Sequence, residues 1–359
     1  MEIKLMEELK TVMSAPYGKH GYFAWPTVTR LKNGRIAVGA SGFRLEHICP
    51  FGKAVLSFSD DECESFSLPA PVIDTPLDDR DCGLCAFGES SFMVTSFNNT
   101  RAFQRQCAPG NSYIQSYLDT VTDEEEKRFL GSTFRISRDN GISFGEVFRS
   151  PVTSPHGPVE LSDGTVLWTG RVFSSELAHE PGKEGIEAHK INPDGTTEYV
   201  GRIENITLNG ETPLMCEPHA VELDNGDLIC HIRAESYGEN KIFTVCQSVS
   251  HDMGRTWSVP EPLLEATGGA PAHLIKHPSG RLISVYGYRN PPYGIKAMVS
   301  DDGGKTWETG LDINVNGIDE DIGYPATVVL NDGSMFTVFY AHPEEDSPAV
   351  ILGQKWTFG

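Results

Sequence analysis

Along this chain the alternation of apolar and polar positions keeps returning to one phrase. A proline or small residue opens an alternating apolar stretch ending in Leu, a polar turn with Gly follows, and a second apolar stretch completes it. Copies begin at Pro26 (PTVTRLKNGRIAV), His156 (HGPVELSDGTVLW), Pro218 (PHAVELDNGDLIC), Pro271 (PAHLIKHPSGRLIS) and Pro325 (PATVVLNDGSMFT). Their turn glycines are Gly34, Gly164, Gly226, Gly280 and Gly333, and a worn sixth copy, LCAFGESSFMVTS around Gly88, fills the long first gap. Period-two alternation on both sides of an Asn-Gly or Asp-Gly type turn is the strongest short hairpin signal. Six such hairpins at this spacing, each followed by one or two more strands, predict an all-β fold: a six-bladed β-propeller of four-stranded antiparallel blades. The prediction makes residues 1–359 one domain. The N-terminal segment supplies the outer strand that closes the last blade, which ends in AVILGQKWTFG.

A second repeat follows the hairpin in most copies and reads Ser-x-Asp-x-Gly-x-(Thr/Ser)-(Trp/Phe). It occurs at Ser250–Trp257, Ser300–Trp307 and Ser137–Phe144, at Ser59–Phe66 without its Gly, and as a remnant at Asn192-Pro193-Asp194-Gly195, read as part of the fourth blade. Ser and Asp side chains satisfy the backbone donors of a tight turn, Gly supplies positive φ, and the aromatic ring plugs between strands. These are the Asp boxes of sialidases, and the chain resembles that superfamily of BNR-repeat propellers over nearly its whole length. The resemblance implies that the boxes lie away from the active site and that their Asp residues form turns and do no catalysis.

Residues 98–130 break the rhythm. Thr122-Asp-Glu-Glu125 fits a capping box opening a short helix, and the segment reads either as a surface excursion or as a lid or rim on the site. At 359 residues the chain is long for one ordinary domain, which a closed repeat accommodates. A net charge of −21 argues against nucleic acid and anionic membrane surfaces as partners, without excluding an anionic small substrate. The acidic N-terminus has no apolar signal-peptide core, and no run reaches the ~18 apolar residues needed to span a bilayer. A cytoplasmic protein is therefore expected, with its eight cysteines mostly reduced and buried. Cys82-Gly-Leu-Cys85 has no second Cys pair to complete a metal site, and no metal or cofactor is expected.

The chemistry is what the resemblance implies. Sialidases use a Tyr nucleophile paired with a Glu, an Asp acid/base and three Arg on the substrate carboxylate. A sialoside carries that carboxylate on its anomeric carbon, so an activated phenol avoids the repulsion a carboxylate nucleophile would meet. The segment Asp321-Ile-Gly-Tyr324-Pro is similar to the one carrying the family's nucleophile. Cys216-Glu217-Pro218 is similar to the Asn-Glu-Pro segment of its fourth blade, and Arg233 stands where the second Arg follows. The first Arg has no counterpart, because Ala24 occupies its place in Phe23-Ala24-Trp25-Pro26. Arg289 is the candidate for the third, and Arg44 for an additional cation in the first blade. The acid/base loop holds Glu46 and His47 in place of Asp, so His47 and Asp81 are the candidate acids, with Asp79 beside them. His20, His156, His219 and His273 stand at blade entrances, where they suggest a polar pocket. Trp25, Tyr286, Tyr288 and Tyr293 either stack on a sugar or fill the core.

Three functions follow from these residues. The first is an exo-glycoside hydrolase removing a terminal acidic sugar, sialic acid or a relative, from a small oligosaccharide or glycoside. The second is a lyase acting on a uronic-acid sugar. The third is a non-catalytic carbohydrate-binding propeller.

Overall fold

The computed structural model describes residues 1–174 and 176–359, in which six antiparallel sheets form the blades of a propeller. The first blade comprises Tyr22–Arg30, Ile36–Arg44, Lys53–Ser59 and Ala70–Ile73, and the second Arg80–Phe87, Ser91–Asn98, Gly131–Ser137 and Phe148–Ser150. In the third blade the innermost strand is split into Val152–Thr153 and Val159–Glu160, both paired with Val166–Val172, and Ile186–Ile191 and Thr197–Ile203 complete it. The fourth runs Leu214–Glu222, Leu228–Ser236, Ile242–Ser250 and Glu261–Pro262. The fifth runs Ala272–Lys276, Leu282–Tyr288, Gly294–Ser300 and Glu308–Asn314. The six expected hairpins are the inner pairs of these sheets.

The sixth blade closes the ring from both ends of the sequence. Gly323–Val329, Met335–Ala341 and Val350–Phe358 are joined by Ile3–Leu5 and Lys10–Met13, which both pair with Val350–Phe358. The seam is apolar: Val12 and Met13 are buried with Phe23, Val38, Phe336, Val338 and Ile351. Burying one such side chain is worth about 1.5–3 kcal/mol, which offsets part of the ~1–2 kcal/mol per residue lost in ordering the terminal strands.

Each Asp box caps the link from third to fourth strand. In the box at Ser250, the Ser250 hydroxyl donates to Asp252 at 2.9 Å. Asp252 in turn accepts the Thr256 amide at 2.8 Å and its hydroxyl at 2.6 Å. The same pattern holds at Ser59, Ser137 and Ser300. These donors hold Asp61, Asp139, Asp252 and Asp302 down at about 2. Where the first box lacks Gly, Cys63 itself adopts φ +68°. The remnant at Asn192 belongs to the third blade, not the fourth, because it links Ile186–Ile191 to Thr197–Ile203. In a four-stranded meander the third-to-fourth link lies at the end opposite the start of the innermost strand. The boxes and the entrances of the inner strands therefore occupy opposite faces.

Residues 98–130 extend the second blade between its second and third strands as three short helices, α1 (Arg101–Cys107), α2 (Ser112–Leu118) and α3 (Asp123–Phe129). The capping box forms as expected, Thr122 and Glu125 bonding reciprocally. Ile114 and Leu118 seat α2 on Cys49, with Leu45 and Phe51 alongside. Cys82 and Cys85 face different apolar clusters on either side of their strand, so they do not form one site.

Three histidines expected to line a polar pocket instead lie within the channel wall. His156, His219 and His273 pack ring to ring, with centroids 4.4–5.6 Å apart. His219 Nδ1 accepts the Leu274 amide at 3.1 Å and His273 Nδ1 the Thr327 amide at 3.2 Å, so each ring serves the neighbouring blade. His156 Nδ1 lies 3.1 Å from the Thr27 hydroxyl, which is itself bonded to the Pro155 carbonyl. Burial pushes His219 down to about 4 and keeps His156 and His273 well below their ordinary value.

Two outcomes follow. Met13→Ala should lower the unfolding free energy by about 2–5 kcal/mol, read from urea denaturation at pH 7. A histidine with a depressed folded pKa binds its proton more readily when unfolded, so its stabilisation is complete above about pH 6.5 and drains away toward pH 4. Asp79, buried and raised to about 7, has the opposite sign, so the comparison must be between variants. Between pH 7 and 5, His219→Gln should lose about 2 kcal/mol less stability than the parent. An equal loss in both proteins would show that His219 does not titrate on unfolding.

Candidate active site

The face where the inner strands begin carries one backbone device four times. Trp25 (φ +54°), Asp81 (φ +54°), Glu217 (φ +52°) and Tyr324 (φ +48°) all occupy the left-handed region without being glycine. Each coincides with a register break in its inner hairpin. Non-glycine residues held there cost of order 1–3 kcal/mol each and persist only where surrounding structure fixes them. Each bulge re-aims one side chain. Three of the four residues, Asp81, Glu217 and Tyr324, thereby reach one cleft.

Tyr324 donates its hydroxyl to Glu217 Oε1 at 2.5 Å. Arg233 Nη1 bridges the pair, 2.7 Å from Glu217 Oε2 and 3.1 Å from the phenol oxygen. Its Nη2 bonds Glu235. Burial, and then the Glu217 charge, raise Tyr324 well above the usual phenol value, while Arg233 opposes them. The resting phenol thus keeps its proton, with a carboxylate placed to take it. Arg233, expected on the substrate, lines the cleft and clamps the Tyr–Glu pair.

Asp81 lines the same cleft, of about 430 Å³, with Glu217, Tyr324, Arg171 and Phe173. Its carboxylate has no hydrogen-bond partner among the described residues. Burial, followed by the Glu217 charge, raises it to about 7. A carboxyl group poised there exchanges a proton near neutrality, which general acid–base work requires. Asn99 and Phe103 from the insertion also line the cleft, so the segment at 98–130 is a rim.

A second lobe, of about 300 Å³, is lined by His47, Tyr237, Lys241, Phe243, Arg289 and Asp321. The Tyr237 hydroxyl bonds Glu235 at 3.0 Å, which ties this lobe to the first. Arg289 is held by Nε on the Ile322 carbonyl (3.0 Å) and Nη2 on the Tyr340 hydroxyl (3.1 Å). Asp321, three residues before Tyr324 in the same segment, is the hub of this lobe. It accepts from Tyr22 (2.7 Å) and Tyr340 (2.9 Å) and lies 3.1 Å from both His342 Nε2 and His47 Nδ1. Burial alone would raise it, but bonds from His47, Tyr22 and His342 hold it well below the usual carboxylate range. His47 is thereby tied to Asp321 in the second lobe, while Asp81 is the titratable acid beside Tyr324. Burial outweighs Asp321 and keeps His47 below its ordinary value.

Other expected contacts turn inward. Arg44 is fully buried on Asp78 (2.6 and 3.1 Å) with Ser41 and the His47 carbonyl, so it does not reach a substrate. Trp25, 1% exposed, offers no face to a sugar. Its ring lies under the guanidinium groups of Arg80 (4.0 Å) and Arg44 (4.8 Å) and packs against Tyr324. His156 and His219, expected on the substrate, belong to the channel wall. Tyr286 is buried in the fifth blade.

Residues 120–337 match the BNR repeat-like domain family. No curated protein matches the chain. Among solved structures it is similar to a protein of unknown function from Dyadobacter fermentans, with 18% identity, 99% of each chain covered and TM-score 0.77. It is also similar to the intramolecular trans-sialidase from Ruminococcus gnavus, with 14% identity, 96% of this chain and 97% of that one covered, and TM-score 0.63. The NanB sialidase from Streptococcus pneumoniae shares 11% identity over 98% of this chain and 70% of its own, with TM-score 0.64. With the repeated hairpins, the Asp boxes and a family match over more than half its length, the chain belongs to the BNR repeat-like family and has the sialidase-like propeller fold.

Proposed function

We propose that the protein is an exo-acting glycoside hydrolase that removes a terminal acidic sugar from a small glycoside with retention of configuration. The observation that carries this reading is the 2.5 Å contact between the Tyr324 hydroxyl and Glu217, bridged by Arg233 at the edge of a cleft. In the first step the Tyr324 oxygen attacks the anomeric carbon as its proton passes to Glu217. Arg233 offsets the charge moving between them. Asp81 gives its proton to the departing glycosidic oxygen. In the second step Asp81, now a carboxylate, takes a proton from the water that displaces Tyr324, whose oxygen recovers the proton held by Glu217. Ala24 and the buried Trp25 stand where sialidases carry their first carboxylate-binding Arg, which favours a sugar acid other than sialic acid itself.

A panel of chromogenic sialosides, uronides and neutral glycosides tests the reading. Tyr324→Phe should reduce kcat at least 10³-fold, and Glu217→Gln at least 10²-fold. Cleavage by Tyr324→Phe at the parent rate would sink the nucleophile assignment. An unsaturated product absorbing in the near ultraviolet would make the enzyme a lyase. Asp81 acts in the first step as the protonated form, so kcat/KM should fall as pH rises through about 7. Asp81→Asn should abolish that alkaline limb when glycosides with poor leaving groups are used, and should cost least with aryl glycosides whose leaving group needs no proton.

A further inference from the structure

Building on that reading of the cleft, we propose that Arg171 is the cation that binds the carboxylate of the terminal sugar. The other arginines near the site are committed. Arg44 is buried on Asp78. Arg80 bonds the His47 carbonyl at 2.9 Å, lies 3.5 Å from Asp78 and covers Trp25. Arg233 is shared among Glu217, Glu235 and Tyr324. Arg289 faces the second lobe, with Nε and Nη2 already bonded. Arg171 alone of these has no hydrogen bond or ion pair from its side chain among the described residues, and its Nε is buried without a partner.

Its place in the fold suits the role. Arg171 sits near the end of Val166–Val172, paired across the sheet with Thr153, so a rigid strand presents it to the cleft that holds Asp81, Glu217 and Tyr324. A buried guanidinium donor without an acceptor is unfavourable. A planar carboxylate offers that acceptor in the two-pronged geometry a guanidinium prefers. The local charge agrees. Around this cleft Arg44, Arg80, Arg171 and Arg233 are four cations against the three carboxylates Asp78, Glu217 and Glu235, and Asp81 holds its proton to about pH 7. An incoming carboxylate therefore meets in this cleft a guanidinium with no ion pair among the described residues, supplied by the third blade, where the first blade offers only Ala24. The aromatic rim of Phe97, Phe103 and Phe173 then faces the sugar body.

Calorimetric binding of free glucuronate and N-acetylneuraminate, each against its methyl ester, tests this in the full chain, with Tyr324→Phe and Arg171→Met beside the parent. At least one acid should bind the parent and Tyr324→Phe alike, and bind Arg171→Met at least ten-fold more weakly. Its ester should bind all three proteins equally, and Arg171→Lys should restore part of the loss. Arg171→Met should melt no lower than the parent, because it removes an unpartnered donor and no contact pair. Parent-like acid binding by Arg171→Met, equal losses for acid and ester, or failure of the parent to bind either acid would overturn the assignment. Acid binding through Arg171 in a protein that cleaves no glycoside would end the hydrolase reading and leave this one standing. Cleavage of acidic glycosides unaffected by Arg171→Met would do the reverse.

Discussion

Six inner strands converge on one axis, and the space they leave there is the constraint from which the rest of the molecule follows. Where the second and third blades meet, a Cβ on Gly83 would lie 2.5 Å from the Gly157 amide and one on Gly157 2.8 Å from the Leu84 amide, so both positions must be glycine. Beside them the room is filled by the rings of His219 and His273, stacked on each other, and His156, set edge-on to both, and ring nitrogens carry hydrogen bonds from blade to blade. Large reactive side chains have no place on that wall. They can exist only where a strand bulges before entering it, which is where Trp25, Asp81, Glu217 and Tyr324 stand. The reactive face is thus a product of crowding below it.

Charge at that face is arranged in closed circuits. Arg233 engages both its terminal nitrogens within the protein, and Arg44 pairs with Asp78 beside Trp25. Buried ion pairs of this kind contribute little net stability, but removing one partner is expensive because the other is left uncompensated in low dielectric. Their effect here is positional. The Tyr324 oxygen is fixed by Glu217 and Arg233 while Asp321, bonded by two tyrosines and flanked by two histidines, anchors the segment that leads to it. Against those circuits Asp81 and Arg171 stand out, since neither side chain has a partner among the described residues.

The scaffold was legible because it is written in local periodicity. Alternation around Gly34, Gly164, Gly226, Gly280 and Gly333 needs no knowledge of distant residues, and neither do the Ser-x-Asp boxes or the Thr122–Glu125 cap. The resemblance also brought Tyr324, Glu217 and Arg233 onto one list, and the fold brings them into contact. Other properties depend on what surrounds a residue. Nothing in the run Phe23-Ala24-Trp25-Pro26 tells that the indole will be roofed by two arginines, nor does SGFR tell that Arg44 will be buried on Asp78. The four bulges leave no mark in hydropathy, because positive φ was read only from glycine. Arg171 lay in an apolar stretch with nothing to single it out, and its isolation is visible only once the partners of every other arginine are known.

The cleft owes one wall to a segment that the ring does not need. Asn99 and Phe103 come from the helical excursion at 98–130, which is braced by its own pairs, Arg101 with Glu126 and Arg105 with Asp119, and seated on the first blade through Ile114, Leu118 and Gln104. The three helices of that segment contain no strand of an inner hairpin and no part of an Asp box. The width of the cleft and the integrity of the ring are therefore separately mutable. A lineage built on this chain can reshape the rim of its cleft without first redesigning the strands beneath it.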